Sequence, residues 1–252
     1  MPAERAEQVR SFIERRQRAT VGEIVTEFGI SAATARRMLG ALADRGEIRR
    51  VHGGALAVRH SGPEPPVVQR MAEQAEIKAR IGRAAAALIE DGETIFISSG
   101  TTALEVARNL RERPRLTVIT NSLLVADLVR DAPGIELIVP GGLLRRSEQS
   151  LIGHMTERAL QELRAAKIVL GIRAIHPQHG LTNDYLPETQ TDRAVLGLGG
   201  DVIVVADHTK CGVVSTAFVG PISAMRVLVT DERAPADFVA DIETEGVRVV
   251  LA

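Results

Sequence analysis

The sequence has one cysteine, three lysines, no tryptophan, one tyrosine and five phenylalanines in 252 residues. A lone thiol, Cys211, makes no internal disulfide, and with six scattered histidines it forms no metal-ligand cluster, which excludes a disulfide scaffold and a zinc finger. Few aromatics means no stacking platform for single-stranded nucleic acid. Duplex DNA depends instead on phosphate contacts and groove fit, which this scarcity leaves intact. No apolar run approaches the ~20 residues that span a bilayer. The opening MPAERAEQVRSF is charged from its fourth residue and lacks the apolar stretch of a secretory signal. The expectation is a cytoplasmic protein with no membrane partner, no metal and no cofactor. Hydrophobic residues at 45% and charged residues at 25% are those of a folded globular chain rather than a disordered one.

The net charge of −1 conceals an asymmetry. Residues 1–60 hold eleven arginines against seven carboxylates, a net +4, and the remainder carries 20 basic against 25 acidic residues, a net −5. A basic head on an acidic body places a polyanion at the head. Arginine supplies 28 of the 31 basic residues, so its abundance is a compositional habit, and only its position is informative. Between the two parts, RHSGPEPPVVQ (59–69) holds Pro63, Pro65 and Pro66, which remove amide donors and stop a helix from running through. The division expected is therefore a basic domain over 1–58, a linker over 59–69 and a second, larger domain over 70–252.

In the head, Val9, Phe12 and Ile13 fall at helical spacing, as do Ile24, Val25 and Phe28. Thr20 with Glu23 three residues on forms a capping box, Gly29 permits a turn, and Ser31 is a natural N-cap for a third helix running to about Arg45. On that helix Ala35, Met38, Leu39 and Leu42 share one face, leaving Ala33, Arg36, Arg37 and Gly40 opposite. A small, cationic face of this kind enters a major groove about 12 Å wide. The following GEIRRVHGGALAV reads as a hairpin wing carrying Arg49, Arg50 and His52. The expected DNA contacts are Ser31, Ala33, Thr34, Arg36, Arg37, Arg49, Arg50 and His52. A three-helix oligomerisation module is the alternative.

In the body, an amphipathic helix over 70–91 precedes seven short β-branched runs at 94–98, 116–120, 135–139, 167–171, 202–206, 226–230 and 247–251. Helical stretches separate most of them, which implies a mainly parallel sheet covered on both faces. Ligands of such sheets bind at the carboxyl ends of the strands. Those ends carry Ser98, Ser99, Gly100, Thr101 and Thr102, then Asn121 and Ser122, then Gly141 and Gly142, then Arg173, and finally Asp207 and Lys210. Glycine lets the backbone approach a ligand, and hydroxyls with a helix N-terminus suit a phosphate. There is no P-loop lysine at the required spacing, which argues against a nucleoside triphosphate. Asp184, Tyr185 and Glu188 lie in a segment that is either a ligand loop or a crossover connection. His176 and His179 read as exposed loop residues, Lys78 as part of a helix face, and Cys211 as inert.

Taken together, these motifs resemble the DeoR family of bacterial transcriptional regulators over essentially the whole chain. The resemblance lies in TVGEIVTEFGIS, TARRML and GEIRRVHGGA in the head, and in EIK (76–78), ISSGTT (97–102), TNS (120–122), PGG (140–142) and ADHTK (206–210) in the body. It implies a winged helix-turn-helix joined to a sensor similar to ribose-5-phosphate isomerase and CoA-transferase folds. It further implies a repressor of a carbohydrate-catabolism operon, acting as a homo-oligomer (dimer or tetramer) that releases double-stranded operator DNA when an anionic sugar phosphate binds. Departures from the family pattern include Ala35 and Met38 in the third helix. Ser98 replaces a frequent aspartate, Arg173-Ala174 an aspartate-glycine pair, and Cys211 a phenylalanine. If positions 98 and 173 face the pocket, it becomes more positive by about three charges. The expected ligand is then a sugar phosphate with a second acid group, held by Arg173 as a bidentate fork. The competing reading is an isomerase or transferase, with Asp207, Glu188 or His208 as base. The basic head, which an enzyme does not need, favours the regulator, with no catalytic residues.

Overall fold

In the computed structural model the chain divides into two compact units, Met1–His60 and Ser61–Ala252. The structure describes residues 2–62 and 64–252, with side chains from residue 5 onward, so Pro63 of the expected linker lies outside the described residues.

The first unit runs α1 (Pro2–Arg16), β1 (Arg18–Thr20), α2 (Val21–Phe28), α3 (Ala32–Asp44), β2 (Ile48–Val51), β3 (Gly54–Ala57) and a two-residue strand β4 (Arg59–His60). The helical periodicity places Val9, Phe12, Ile13, Ile24, Ala35, Leu39 and Leu42 in one core. The capping box forms: Glu23 N–H donates to Thr20 Oγ1 at 3.2 Å, and Thr20 N–H donates to the Glu23 carboxylate at 2.7 Å. Thr20→Ala is expected to lower the stability of this unit by about 1 kcal/mol, measured by urea denaturation. Gly29 ends α2 in the left-handed region, and Ser31 Oγ accepts from Thr34 N–H at 3.2 Å to start α3. The wing is an antiparallel β2–β3 hairpin, which β1 extends to three strands in the order β1-β3-β2. Nothing in the sequence marks β1, because three residues between two helices give no alternation to detect.

The second unit begins with α4 (Val67–Arg70) and α5 (Ala75–Ala86). The single helix expected over 70–91 is thus shorter and preceded by a break, where Gln74 takes a left-handed conformation (φ 53°) and Lys78 Nζ donates to the Arg70 carbonyl at 2.8 Å. There follow β5 (Thr94–Ile97), α6 (Thr101–Leu110), β6 (Leu116–Thr120), α7 (Leu123–Val129), β7 (Ile135–Ile138), β8 (Leu143–Arg145), β9 (Ser150–Ile152), α8 (His154–Gln161) and β10 (Lys167–Gly171). The rest comprises β11 (Ala174–His176), β12 (Gly180–Asn183), α9 (Leu186–Leu196), β13 (Asp201–Val205), β14 (Val213–Val214), β15 (Ala217–Gly220), β16 (Val227–Thr230), α10 (Ala236–Thr244) and β17 (Arg248–Leu251).

The seven apolar runs form one parallel sheet in the order β17-β16-β13-β10-β5-β6-β7. Alternate residues feed opposite cores. Phe96, Ile168, Leu170, Val202 and Val204 pack on one face with Phe238 of α10, and Ile95, Ile97, Val169, Ile203 and Val205 pack on the other with α5 and α6. This two-sided burial is why the inner strands read as nearly continuous hydrophobic runs, while the edge strands β7 and β17 are only partly buried. A small antiparallel sheet, β11-β12-β15, holds His176, which is buried and not the exposed loop residue expected. Among the described residues no helix is long and apolar enough to cross a membrane, and no group of side chains could hold a metal ion.

Candidate DNA-binding face and ligand cavity

In the first unit, the capped start of α3 fixes which side of the helix meets solvent. Ala35, Leu39 and Leu42 are buried, while Ala33, Arg36 and Arg37 are exposed, Thr34 is half-buried and Ser31 is exposed at the N-cap. On the wing, Arg50 and His52 are exposed and Arg49 is half-buried. Ion pairing sorts the arginines. Arg10 pairs with Glu14 at 2.9 Å, Arg16 with Glu23 at 3.5 Å and Arg45 with Glu47 at 2.6 Å. Arg36, Arg37 and Arg50 make no ion pair among the described residues. Their charge is therefore unneutralised, and on α3 it sits beside the small Ala33, as entry to a major groove requires.

In the second unit, successive strands run outward to one side from β5 (β6, β7) and then to the other (β10, β13, β16, β17), so β5 and β10 flank the topological switch. Open α/β sheets bind ligands at the carboxyl ends of strands at such a point. A cavity of about 360 Å³ lies there, lined by the turns after β5, β10 and β13. After β5, Ser99, Gly100, Thr101 and Thr102 line it. Gly100 has φ 107°, a conformation closed to other residues without strain, and it starts α6 without any side-chain cap, leaving the amides of the first turn for a ligand. Arg173, Glu188, Asp207 and Lys210 also line the cavity.

Seven of the expected ligand residues do not line it. Ser98 is buried and spent on structure: its Oγ accepts from Gly171 N–H at 2.8 Å and donates to the Ser99 carbonyl at 3.1 Å. Asn121 donates to the Leu151 carbonyl at 3.1 Å, and Ser122 caps α7 by accepting from Val125 N–H at 3.3 Å. The Gly141 carbonyl accepts from Thr156 Oγ1 at 2.7 Å, and a Cβ at Gly142 would lie 2.0 Å from that oxygen, so this glycine serves packing. Tyr185 stacks under the Arg145 guanidinium at 4.4 Å, and Asp184 accepts from Glu64 N–H at 3.1 Å.

Six charged residues of the lining are not among the ligand residues expected from sequence: Glu64, Arg70, Glu73, Lys78, Glu148 and Asp192. Glu64 lies at the centre of the cation cluster. Its Oε1 is 3.0 Å from Arg70, 3.2 Å from Arg173 and 3.2 Å from Lys210. Arg173 is thus already engaged, and also donates to the Gly62 carbonyl at 2.9 Å, so it is not the open fork expected. The expected gain of about three positive charges required positions 98 and 173 both to face the cavity, and only Arg173 lines it, paired there with Glu64. Arg70 also pairs with Glu148, whose pKa burial pushes up. Burial pushes the Lys78 ammonium down. Glu188, beside Arg145 and accepting from Ser150 Oγ at 3.1 Å, is pushed up to about 7 by burial. Buried Asp192 is raised as well, by burial and by Glu188 nearby. Cys211 is buried and its thiol is pushed up to about 12 by burial, leaving it protonated and unreactive.

A winged helix-turn-helix with a cationic outer face, followed in the chain by an α/β unit with a cavity at its switch point, defines a DNA-binding transcriptional regulator. The family model for the DeoR-like helix-turn-helix domain matches residues 5–61, and that for the DeoR C-terminal sensor domain matches residues 73–232. The chain belongs to the DeoR family. It is 31% identical over 251 residues to the putative aga operon transcriptional repressor of Escherichia coli O157:H7, covering 99% of this chain and 93% of that protein. It is 33% identical over 229 residues to the glycerol-3-phosphate regulon repressor of Escherichia coli K12, covering 91% and 90%. A more distant likeness, at 19% identity and a TM-score of 0.41 over 55% of each chain, is to ribose 5-phosphate isomerase A of Methanocaldococcus jannaschii.

Proposed function

We propose that the protein represses a carbohydrate-catabolism operon and leaves its operator when a phosphorylated sugar occupies the cavity of the second unit. The observation that carries this reading is the meeting, at the β5/β10 switch point, of the uncapped start of α6 with Arg173 and Lys210. Amides at a helix N-terminus accept a phosphate, and cations beside them neutralise it. The relatives named as repressors of the aga operon and of the glycerol-3-phosphate regulon support repression and a sugar-related ligand. The protein would act as a homo-oligomer, dimer or tetramer, whose paired heads bind two operator half-sites. Ligand that favours a state with mismatched heads lowers operator affinity, and a coupling of ~1–3 kcal/mol changes it roughly 5- to 150-fold.

The test is binding of full-length protein to duplex DNA from upstream of its own gene, against scrambled duplex at two salt concentrations, followed by release with a panel of sugar phosphates. Thr102→Asp sharpens it. An acidic residue in the first turn favours α6, so the fold is retained, while its charge opposes an anion in the cavity. The variant is expected to bind operator normally and to need on the order of 10- to 100-fold more sugar phosphate for release. Release at unchanged concentrations would remove the cavity from the mechanism.

A further inference from the structure

The Glu64 carboxylate comes from the segment that leads into the second unit, yet it lies inside the cavity, against three cations contributed by α4, the turn after β10 and the turn after β13. We infer that Glu64 is a tethered occupant of the effector's anion seat: it holds Arg70, Arg173 and Lys210 in the unliganded protein, and an anionic group of the effector takes its place. This inference rests on the cavity being the effector site.

The charges favour exchange. Within the ion-paired cluster three cations meet two carboxylates, Glu64 and Glu148, so displacement of Glu64 leaves two positive charges there for an incoming anion, while Glu73, Glu188, Asp192 and Asp207 line the rest of the cavity. Arg173 Nε is buried and has no hydrogen-bond partner among the described residues, an unmade bond that a larger anion with more oxygens would complete. A phosphate dianion matches this seat better than the carboxylate does, in charge and in the number of acceptors.

The same cations also hold the segment's backbone. Arg173 donates to the Gly62 carbonyl at 2.9 Å, Arg70 Nε donates to the Pro65 carbonyl at 2.8 Å, and Asp184 accepts from Glu64 N–H at 3.1 Å. An anion that draws Arg173 and Arg70 toward itself competes with Glu64 and with these two carbonyl anchors together. Gly62, Glu64 and Pro65 then lose these bonds, while Ser61 N–H keeps its own bond to the Val214 carbonyl at 2.9 Å; by chain continuity these residues follow the DNA-binding unit. Occupancy of the cavity is in this way converted into release of the Gly62 and Pro65 anchors.

An internal occupant reduces apparent affinity by the fraction of molecules in which the seat is open. A seat open in about one molecule in ten weakens binding about tenfold. The test is calorimetric titration of full-length wild type, Glu64→Gln and Asp184→Asn with inorganic phosphate and with 6-phosphogluconate, which carries both a phosphate and a carboxylate. Glu64→Gln keeps the shape and loses the charge, and is expected to bind about tenfold more tightly. Asp184→Asn, which keeps all three cations paired and only loosens the Glu64 backbone, is expected to move the same way by less, and remains informative if the first variant folds poorly. A gain for both ligands identifies the displacing group as phosphate, and a gain for 6-phosphogluconate alone identifies it as the second acid. Equal or weaker binding by both variants overturns the tethered occupant while leaving the cavity as the effector site. Failure of every protein to bind either ligand overturns the effector site, and the inference with it.

Discussion

Replacing Arg36 and Arg37 together by alanine is expected to weaken operator binding by about 2–4 kcal/mol, roughly 30- to 1,000-fold, with the stability of the protein unchanged. Both side chains are exposed on α3, opposite the buried Ala35, Leu39 and Leu42, so their removal takes nothing from the core. Neither is paired with a carboxylate among the described residues, in contrast to Arg10, Arg16 and Arg45. An arginine already bound to a carboxylate gains little by exchanging it for a phosphate, whereas an unpaired one contributes its full charge. The loss should therefore be concentrated in the salt-dependent part of binding, lowering the slope of log K against log salt by about one for each phosphate contact removed. Quantitative gel shifts at several salt concentrations provide the measurement. As a control, Arg45→Ala, which removes an arginine paired with Glu47 at 2.6 Å, should leave the slope nearly unchanged. A double variant with wild-type affinity and slope would remove this face of α3 from DNA recognition.

How well the molecule can be read from its sequence depends on whether a feature is local. The five inner strands of the large sheet stand out because both of their faces are buried, so their runs are mainly apolar, whereas the edge strands β7 and β17 are only partly buried and carry Glu136 and Arg248. The capping box of α2 is similarly visible, since Thr20 and Glu23 are three residues apart and satisfy each other. The strand-end turns of the cavity, Ser99 to Thr102, Arg173, Asp207 and Lys210, follow once the sheet is recognised as parallel. What escapes is the part assembled from distant segments. Glu64 and Arg173 are 109 positions apart, and Arg70 and Glu148 are 78 apart. No periodicity or spacing registers such pairs, and a glutamate among prolines reads as solvated linker. Capping and packing also imitate binding. Ser122 and Gly142 have the composition of ligand turns, yet one caps a helix and the other makes room for Thr156. The small sheet leaves no mark in the sequence because AIH, GLTN and AFVG are too short to show alternation.

The buried carboxyl of Glu188 gives the second unit a pH dependence opposite to that of an ordinary surface ion pair. Its pKa is pushed from 4.5 up to about 7 by burial, with Glu148 adding to the rise and Arg145 opposing it, and Asp192 beside it is raised too. A carboxyl with a higher pKa in the folded state holds its proton there over a range in which the unfolded chain has lost it. Stability then falls as pH rises from about 4.5 to about 7 and levels off above. The gap between those two values corresponds to about 3 kcal/mol. For a unit of this size that is a melting-temperature decrease of roughly 6–12 °C. Glu188→Gln keeps an acceptor for Ser150 Oγ and never ionises, so most of this slope should disappear and the variant should exceed wild type at pH 8. Arg145 retains other contacts in that variant, the ring of Tyr185 at 4.4 Å and Ser147 Oγ at 3.2 Å. Thermal denaturation of both proteins between pH 5 and 8 makes the comparison, and a variant with the full wild-type slope would place the titrating group elsewhere. Because Glu188 lines the cavity, its protonation also sets the charge that an anionic ligand meets. Near neutral pH an un-ionised Glu188 leaves Arg145 and the neighbouring cations less compensated, so the proton that stabilises the fold also favours an anion in the cavity.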